Sequence, residues 1–131
     1  MAEHPDITLV RRGFAAFSAG DGATLSEIIA EDATQFQPGN SEMAGTREGR
    51  EAILTFYGQL AAETNGTFRV ELEHALSDGQ GHVVAIQRVT AQRKGRSLDS
   101  YASLVFTISD GQARDIHGYE EDFEAWDEFW S

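Results

Sequence analysis

Phe68-Arg69-Val70-Glu71-Leu72-Glu73-His74-Ala75-Leu76 alternates apolar and polar side chains with a period of two, the mark of a strand with one wet and one covered face. Asp78-Gly79-Gln80-Gly81 follows as a turn. Val83 to Arg93 reads as a second strand, Gly95-Arg96 as a tight turn, and Leu98 to Ile108 as a third strand. Asp110-Gly111 then turns the chain into a last strand from Ala113 to about Glu121. Pairing Ser77 with His82, and Lys94 with Ser97, sets Phe68, Val70, Leu72, His74 and Leu76 on the same face as Val83, Ala85, Gln87, Val89, Ala91, Leu98, Ser100, Ala102, Leu104, Phe106 and Ile108. Only His74, Gln87 and Ser100 are polar there, so this is the face that something must cover.

The cover is supplied by the first half of the chain. Leu9, Val10, Gly13, Phe14 and Phe17 recur at helical spacing, with Pro5 in the first turn and Gly20 at the close. Asp21 reads as the N-cap of a short second helix carrying Leu25, Ile28 and Ile29. A third helix, from about Gly49 to Ala62, turns Ile53, Phe56, Tyr57 and Leu60 inward. Thr34 to Gly45, with Pro38-Gly39-Asn40, reads as a short strand and loop. The acidic run Glu120-Glu121-Asp122 reads as a solvated strand end. A helix after it would put Phe123, Trp126 and Trp130 on one face, docked on the core or closing a pocket mouth.

The opposite sheet face carries Arg69, Glu71, Glu73, Val84, Ile86, Arg88, Thr90, Asp99, Tyr101, Ser103, Val105 and Thr107. Glu71 falls across from Arg88 as a surface ion pair. Val84, Ile86, Tyr101 and Val105 are too apolar for a fully wet surface, so the expectation is a homodimer through this outer face.

Composition bounds the function. The chain has 131 residues, the size of one domain, and a formal net charge of −12 from 22 acidic and 10 basic residues. That field repels phosphate backbones and anionic lipid, so nucleic acid and membrane are not expected partners. Cysteine is absent, which removes disulfides, thiolate zinc sites, iron–sulfur clusters and cysteine nucleophiles. The four histidines, His4, His74, His82 and His117, lack ligand-pair spacing, so neither a metal nor another cofactor is expected. No apolar run is long enough to cross a bilayer, and Met1-Ala2-Glu3-His4-Pro5-Asp6 has no export character; a cytoplasmic protein is expected.

Several stretches resemble the SnoaL-like group of the nuclear transport factor 2-like superfamily. They are Val10-Arg11-Arg12-Gly13-Phe14-Ala15-Ala16-Phe17-Ser18-Ala19-Gly20-Asp21, Ala30-Glu31-Asp32-Ala33, Gly45-Thr46-Arg47-Glu48-Gly49-Arg50-Glu51-Ala52-Ile53, Ser109-Asp110-Gly111-Gln112, Tyr119-Glu120-Glu121-Asp122 and Asp127-Glu128-Phe129-Trp130-Ser131. The resemblance covers essentially the whole chain and implies a single domain over 1–131. Its fold would be α+β: a cone-shaped, curved antiparallel sheet wrapped around N-terminal helices, with an apolar pocket and dimerisation through the outer sheet face. Members include ketosteroid isomerases, polyketide cyclases, epoxide hydrolases and proteins that only bind, so fold alone does not set activity.

The isomerases use a tyrosine, an aspartate base and a protonated aspartate, a pattern of tuned carboxyls that is well established. At the matching positions this chain carries Gly13, Gln37 and Leu104, none of which lifts a proton or holds an oxyanion. The epoxide hydrolases place Asp-Arg-Asp on the inner sheet face, whereas Arg88 and Asp99 fall on the outer one. The last strand has two readings. A direct Asp110-Gly111 turn points Asp115, His117, Tyr119 and Glu121 inward; a bulged loop points Arg114, Ile116, Gly118 and Glu120 inward. The expected pocket is lined by Phe14, Phe17, Gln37, Phe56, Tyr57, Gln87, Ile116 and Trp126. It would hold a small, oxygenated hydrophobic ligand without steroid-isomerase chemistry. The alternative is an acid–base enzyme of isomerase, cyclase or hydrolase type, with His74 or His117 as catalytic proton carrier.

Overall fold

The computed structural model describes residues 3–131; Met1 and Ala2, part of the stretch read for export character, lie outside the described residues. Helix α1 spans Pro5–Ala19 and α2 Gly22–Ile28, followed by β1 Ile29–Gln37, β2 Gly45–Glu48 and α3 Arg50–Glu63. The second half holds β3 Arg69–Ser77, β4 His82–Arg93, β5 Arg96–Ser109, β6 Gln112–Glu120 and the final helix α4 Phe123–Trp130. The helix ends follow local chemistry. Pro5 occupies the first turn of α1, Gly20 ends it in the left-handed region, and the Asp21 and Asp122 carboxylates accept from the Thr24 and Ala125 N–H groups.

The fold is α+β, with one curved, unclosed sheet of six strands in the order β2-β1-β6-β5-β4-β3. Its pairs are antiparallel except β1 with β6, which run parallel. The expectation of a wholly antiparallel sheet is corrected at that one junction. Gly118 makes the junction possible: a Cβ there would stand 2.9 Å from the Phe36 carbonyl oxygen.

Two hairpins close on two-residue turns with both central residues at positive φ, Lys94-Gly95 and Asp110-Gly111. The first pairs Arg93 with Arg96, which slides β5 by two residues from the expected register and so leaves the faces unchanged. Val83, Ala85, Gln87, Val89 and Ala91 are buried on the helix-covered face, as are Leu98, Ser100 and Ala102.

The β3–β4 hairpin corrects the register more deeply. Val70 pairs with Val89 and Leu72 with Gln87, as expected. The turn, however, closes with Ser77 opposite Val83, and the extra residue is absorbed by an irregularity between Leu72 and His74. Past that point the strand is flipped. His74 sits opposite Ile86 and Leu76 opposite Val84, both on the outer face, with Leu76 63% exposed. The outer face also loses an expected pair: Arg88 lies opposite Glu71, yet its guanidinium donates to both carboxylate oxygens of Asp99 at 2.9 and 2.7 Å.

The helices cover the inner face. Helix α1 lies across β3 and β4, α3 across β1 and β2, and α4 against β5. Trp126, Phe129 and Trp130 of α4 are buried among Met43, Phe56, Leu60, Val89 and Ala102, whereas Phe123 is exposed. Phe129 therefore takes the core place expected of Phe123. Each such side chain contributes roughly 1.5–3 kcal/mol of apolar burial. No helix among the described residues is long and apolar enough to cross a membrane.

Candidate functional site

Between the helices and the concave sheet face lies a cavity. Its volume is about 90 Å3. A single water needs roughly 10–15 Å3 on that measure, so there is room for a small organic molecule. Helix α1 contributes Gly13, Phe14 and Phe17, α3 Phe56 and Tyr57, the strands Val89, Leu104, Phe106 and Ile116, and α4 Trp126. All eight residues expected to line a pocket (Phe14, Phe17, Gln37, Phe56, Tyr57, Gln87, Ile116 and Trp126) surround this one cavity.

Its polar groups are few. Gln35, Gln37 and Gln87 are only 4%, 6% and 7% exposed, yet each lies on the cavity wall. The Tyr57 hydroxyl donates to Gln35 Oε1 at 2.6 Å, and burial pushes the Tyr57 pKa upward, so the phenol keeps its proton. Gln37 Nε2 donates to Glu120 Oε2 at 3.0 Å. Among the described residues nothing bonds the Gln87 amide, and an apolar wall presents it without a protein partner. Burial pushes the Glu120 carboxyl up to about 7, against the opposing effect of the Gln37 N–H.

Glu120 corrects the reading of Glu120-Glu121-Asp122 as a solvated strand end. Strand β6 combines the two expected alternatives. The turn is the direct one, with Ser109 opposite Gln112, but the register shifts between Ile108 and Thr107, where Ala113 and Asp115 flank Arg114. Ala113, Ile116 and Glu120 consequently line the cavity. Arg114 does not point inward; its guanidinium reaches the Ser109 carbonyl and the Asp32 and Asp110 carboxylates.

A family model described as a SnoaL-like domain matches residues 10–116. The chain belongs to the SnoaL-like family. The uncharacterized protein Rv0034 of Mycobacterium tuberculosis is 37% identical over 131 residues, all of both chains. Among solved structures, Bal32a from a soil-derived mobile gene cassette superposes with a TM-score of 0.95 at 42% identity, over 97% of each chain. An NTF2-like protein from Burkholderia xenovorans superposes at 0.83 with 23% identity, over 100% of this chain and 99% of that one, a likeness of fold.

Within this SnoaL-like chain the two histidines do not reach the cavity. His74 is exposed on the outer face beyond the β3 bulge. His117 lies between the inward residues Ile116 and Gly118, stacked on Phe36 at 4.7 Å and beside Tyr119. The bulges in β3 and β6 that turn them outward are the physical reason for the correction. Gly13, Gln37 and Leu104, the positions read as matching the isomerase residues, all lie on the cavity wall. Among the described residues, no three histidines and carboxylates converge as a metal-binding group. Gln35 and Glu120 are the functional candidates that sequence reading missed. The signal for Glu120 was present, since the register that buries Ile116 also turns Glu120 inward.

Proposed function

We propose that this SnoaL-like protein binds a small, hydrophobic, oxygen-bearing molecule in the cavity under α1 and α4, without steroid-isomerase chemistry. The observation that carries this reading is an apolar, aromatic-walled cavity into which the unpartnered Gln87 amide is set. An amide in such a wall is satisfied by a ligand oxygen or hydroxyl, which gives orientation while the rings give affinity. Titration with 2-naphthalenemethanol, followed by calorimetry, tests it: binding is expected, and Gln87→Leu is expected to weaken it about tenfold, the loss of one net hydrogen bond.

A second reading is favoured by one residue. Glu120 exchanges its proton near neutrality, in reach of anything in the cavity, which suits a general acid or base. An enzyme of cyclase, isomerase or hydrolase type would then use Glu120 where a histidine was expected, with Gln37 holding the carboxyl.

The outer face supports a homodimer. Leu76, Tyr101 and Tyr119 are exposed there, and Val84, Ile86 and Val105 are half-buried beside them. A second copy of the same face would cover this stripe.

A further inference from the structure

Among the described residues, Glu120 carries the one carboxyl of the cavity wall, and no cationic side chain of the wall neutralises it. No lysine, arginine or histidine among the described residues lines the space. Gln37 from β1 gives Glu120 a hydrogen bond but no charge. From α3 comes the Tyr57 phenol, from β4 the Gln87 amide and from α4 the Trp126 indole, all neutral. The neighbouring acids of its own strand end are engaged elsewhere: Glu121 accepts from the Tyr101 N–H, and Asp122 caps α4. Two cations contact wall residues from behind: Arg47 lies over the Phe56 ring with its guanidinium bonded to the Met43 and Ala44 carbonyls, and the Arg50 guanidinium donates to the Ser26 and Ile29 carbonyls.

The same cavity is lined by seven aromatic side chains, among them Phe14, Phe17, Tyr57 and Trp126. Aromatic faces attract an organic cation and give an anion nothing comparable. A net charge of −12 on the whole chain enriches cations at any cleft and depletes anions. A half-buried carboxyl without a counter-ion, an aromatic wall and a negative field all select the same ligand chemistry.

We infer that the ligand of this cavity carries an ammonium group, seated on the Glu120 carboxylate and against the aromatic wall. The inference rests on the cavity being a ligand site, and it names the charge of what enters. Carboxylated and phosphorylated molecules are excluded, because they would meet Glu120 with no cation to hold them. The glutamine amides then read the uncharged, oxygen-bearing part of the same molecule.

Three probes of one shape test this by calorimetry: 2-naphthylmethylamine, 2-naphthalenemethanol and 2-naphthoate. An arylmethyl ammonium titrates about one unit below the lysine value of about 10.4, still above the pH range used, so the amine stays mostly charged throughout while Glu120 does not. At pH 8.5 the amine is expected to bind at least tenfold tighter than the alcohol, and the naphthoate not to bind. Between pH 7 and pH 6 the amine is expected to weaken up to about tenfold as the carboxyl takes its proton, while the alcohol does not weaken. Glu120→Gln is expected to lose the preference for the amine and to keep the alcohol. If the alcohol equals the amine at pH 8.5, or Glu120→Gln binds the amine as the parent does, the inference is overturned while the ligand site stands. If neither the amine nor the alcohol binds the parent protein, the ligand site itself is overturned, and the inference with it.

Discussion

Gln37 Nε2 stands 3.0 Å from Glu120 Oε2, joining two strands that run parallel and far apart in sequence. Both side chains look into the cavity, and the Glu120 carboxyl is held up to about 7 by burial. Folded chains therefore keep this proton more tightly than unfolded ones, whose Glu titrates at 4.5. The stability from the buried neutral carboxyl is full below pH 4.5 and is lost as pH rises through 7. Glu120→Gln cannot ionise. Urea melts should show it gaining on the parent between pH 5 and pH 8, by on the order of 2–3 kcal/mol at pH 8. Parallel stability curves would contradict the placement of Glu120.

Asp127 of α4 clasps the β1–β2 loop, accepting from the Asn40 N–H at 2.9 Å and the Ser41 N–H at 3.0 Å. Gly39 lets it approach: its φ is +110°, and a Cβ would lie 2.5 Å from Asp127 Oδ1. Asp127→Ala should lower stability by about 1–3 kcal/mol, since both N–H groups lose their acceptor. Gly39→Ala should destabilise as well, through strain at positive φ and the clash. In the Asp127→Ala background the clash is gone, so Gly39→Ala should cost less there. A thermal-melt double-mutant cycle reads that coupling, and strict additivity would contradict the clasp.

Ile86→Glu places a charge in the middle of the outer stripe. Sedimentation at micromolar concentration should show a dimer for the parent and a monomer for this variant, with circular dichroism and probe binding retained. A monomeric parent would refute the dimer.

Steroid enone isomerisation should be slow or absent. The positions expected to supply base and oxyanion donors hold Gln37, Gly13 and Leu104, and a base lost from its matched position is worth about 100- to 10,000-fold in rate. Product absorbance with a steroid enone is the assay. His74→Ala and His117→Ala should leave any residual rate unchanged, because both rings are turned away from the cavity. A rate lost in either variant would contradict that placement.

How much of this was legible in the sequence depends on what a period of two can encode. The alternation of Phe68, Val70 and Leu72 with Arg69 and Glu71 fixed their face, and the facing strands agreed. Beyond Glu73 the same alternation continues in His74-Ala75-Leu76, and one extra residue in the strand inverts its meaning without altering the pattern. Val83 and Ala85 are buried opposite Ser77 and Ala75, so the core on β4 decided the register and left Leu76 in the open. Strand β6 hid its irregularity in the same way: the Asp110-Gly111 turn was read correctly, and the shift at Arg114 leaves no compositional trace. Helical spacing in α1 and α3, by contrast, turns Phe14, Phe17, Phe56 and Tyr57 inward whatever the strands do. Glu120 is turned inward by the bulged reading that buries Ile116, but the acidic run it opens reads as solvated, since acidic side chains are most often exposed.

Occupancy of the cavity is the central claim, and Gly13 offers the cleanest test of it. It lies in mid-helix on the cavity wall, and a Cβ there meets only Ile28 side-chain atoms, at 4.0 Å. Gly13→Phe should fill the space while removing a helix-weakening glycine, a gain of roughly 0.5 kcal/mol in helix propensity. Calorimetry with 2-naphthalenemethanol should show binding to the parent and to the His74→Ala, His117→Ala double variant, and none to a folded Gly13→Phe protein. Undiminished binding to Gly13→Phe would place the ligand elsewhere and contradict the account.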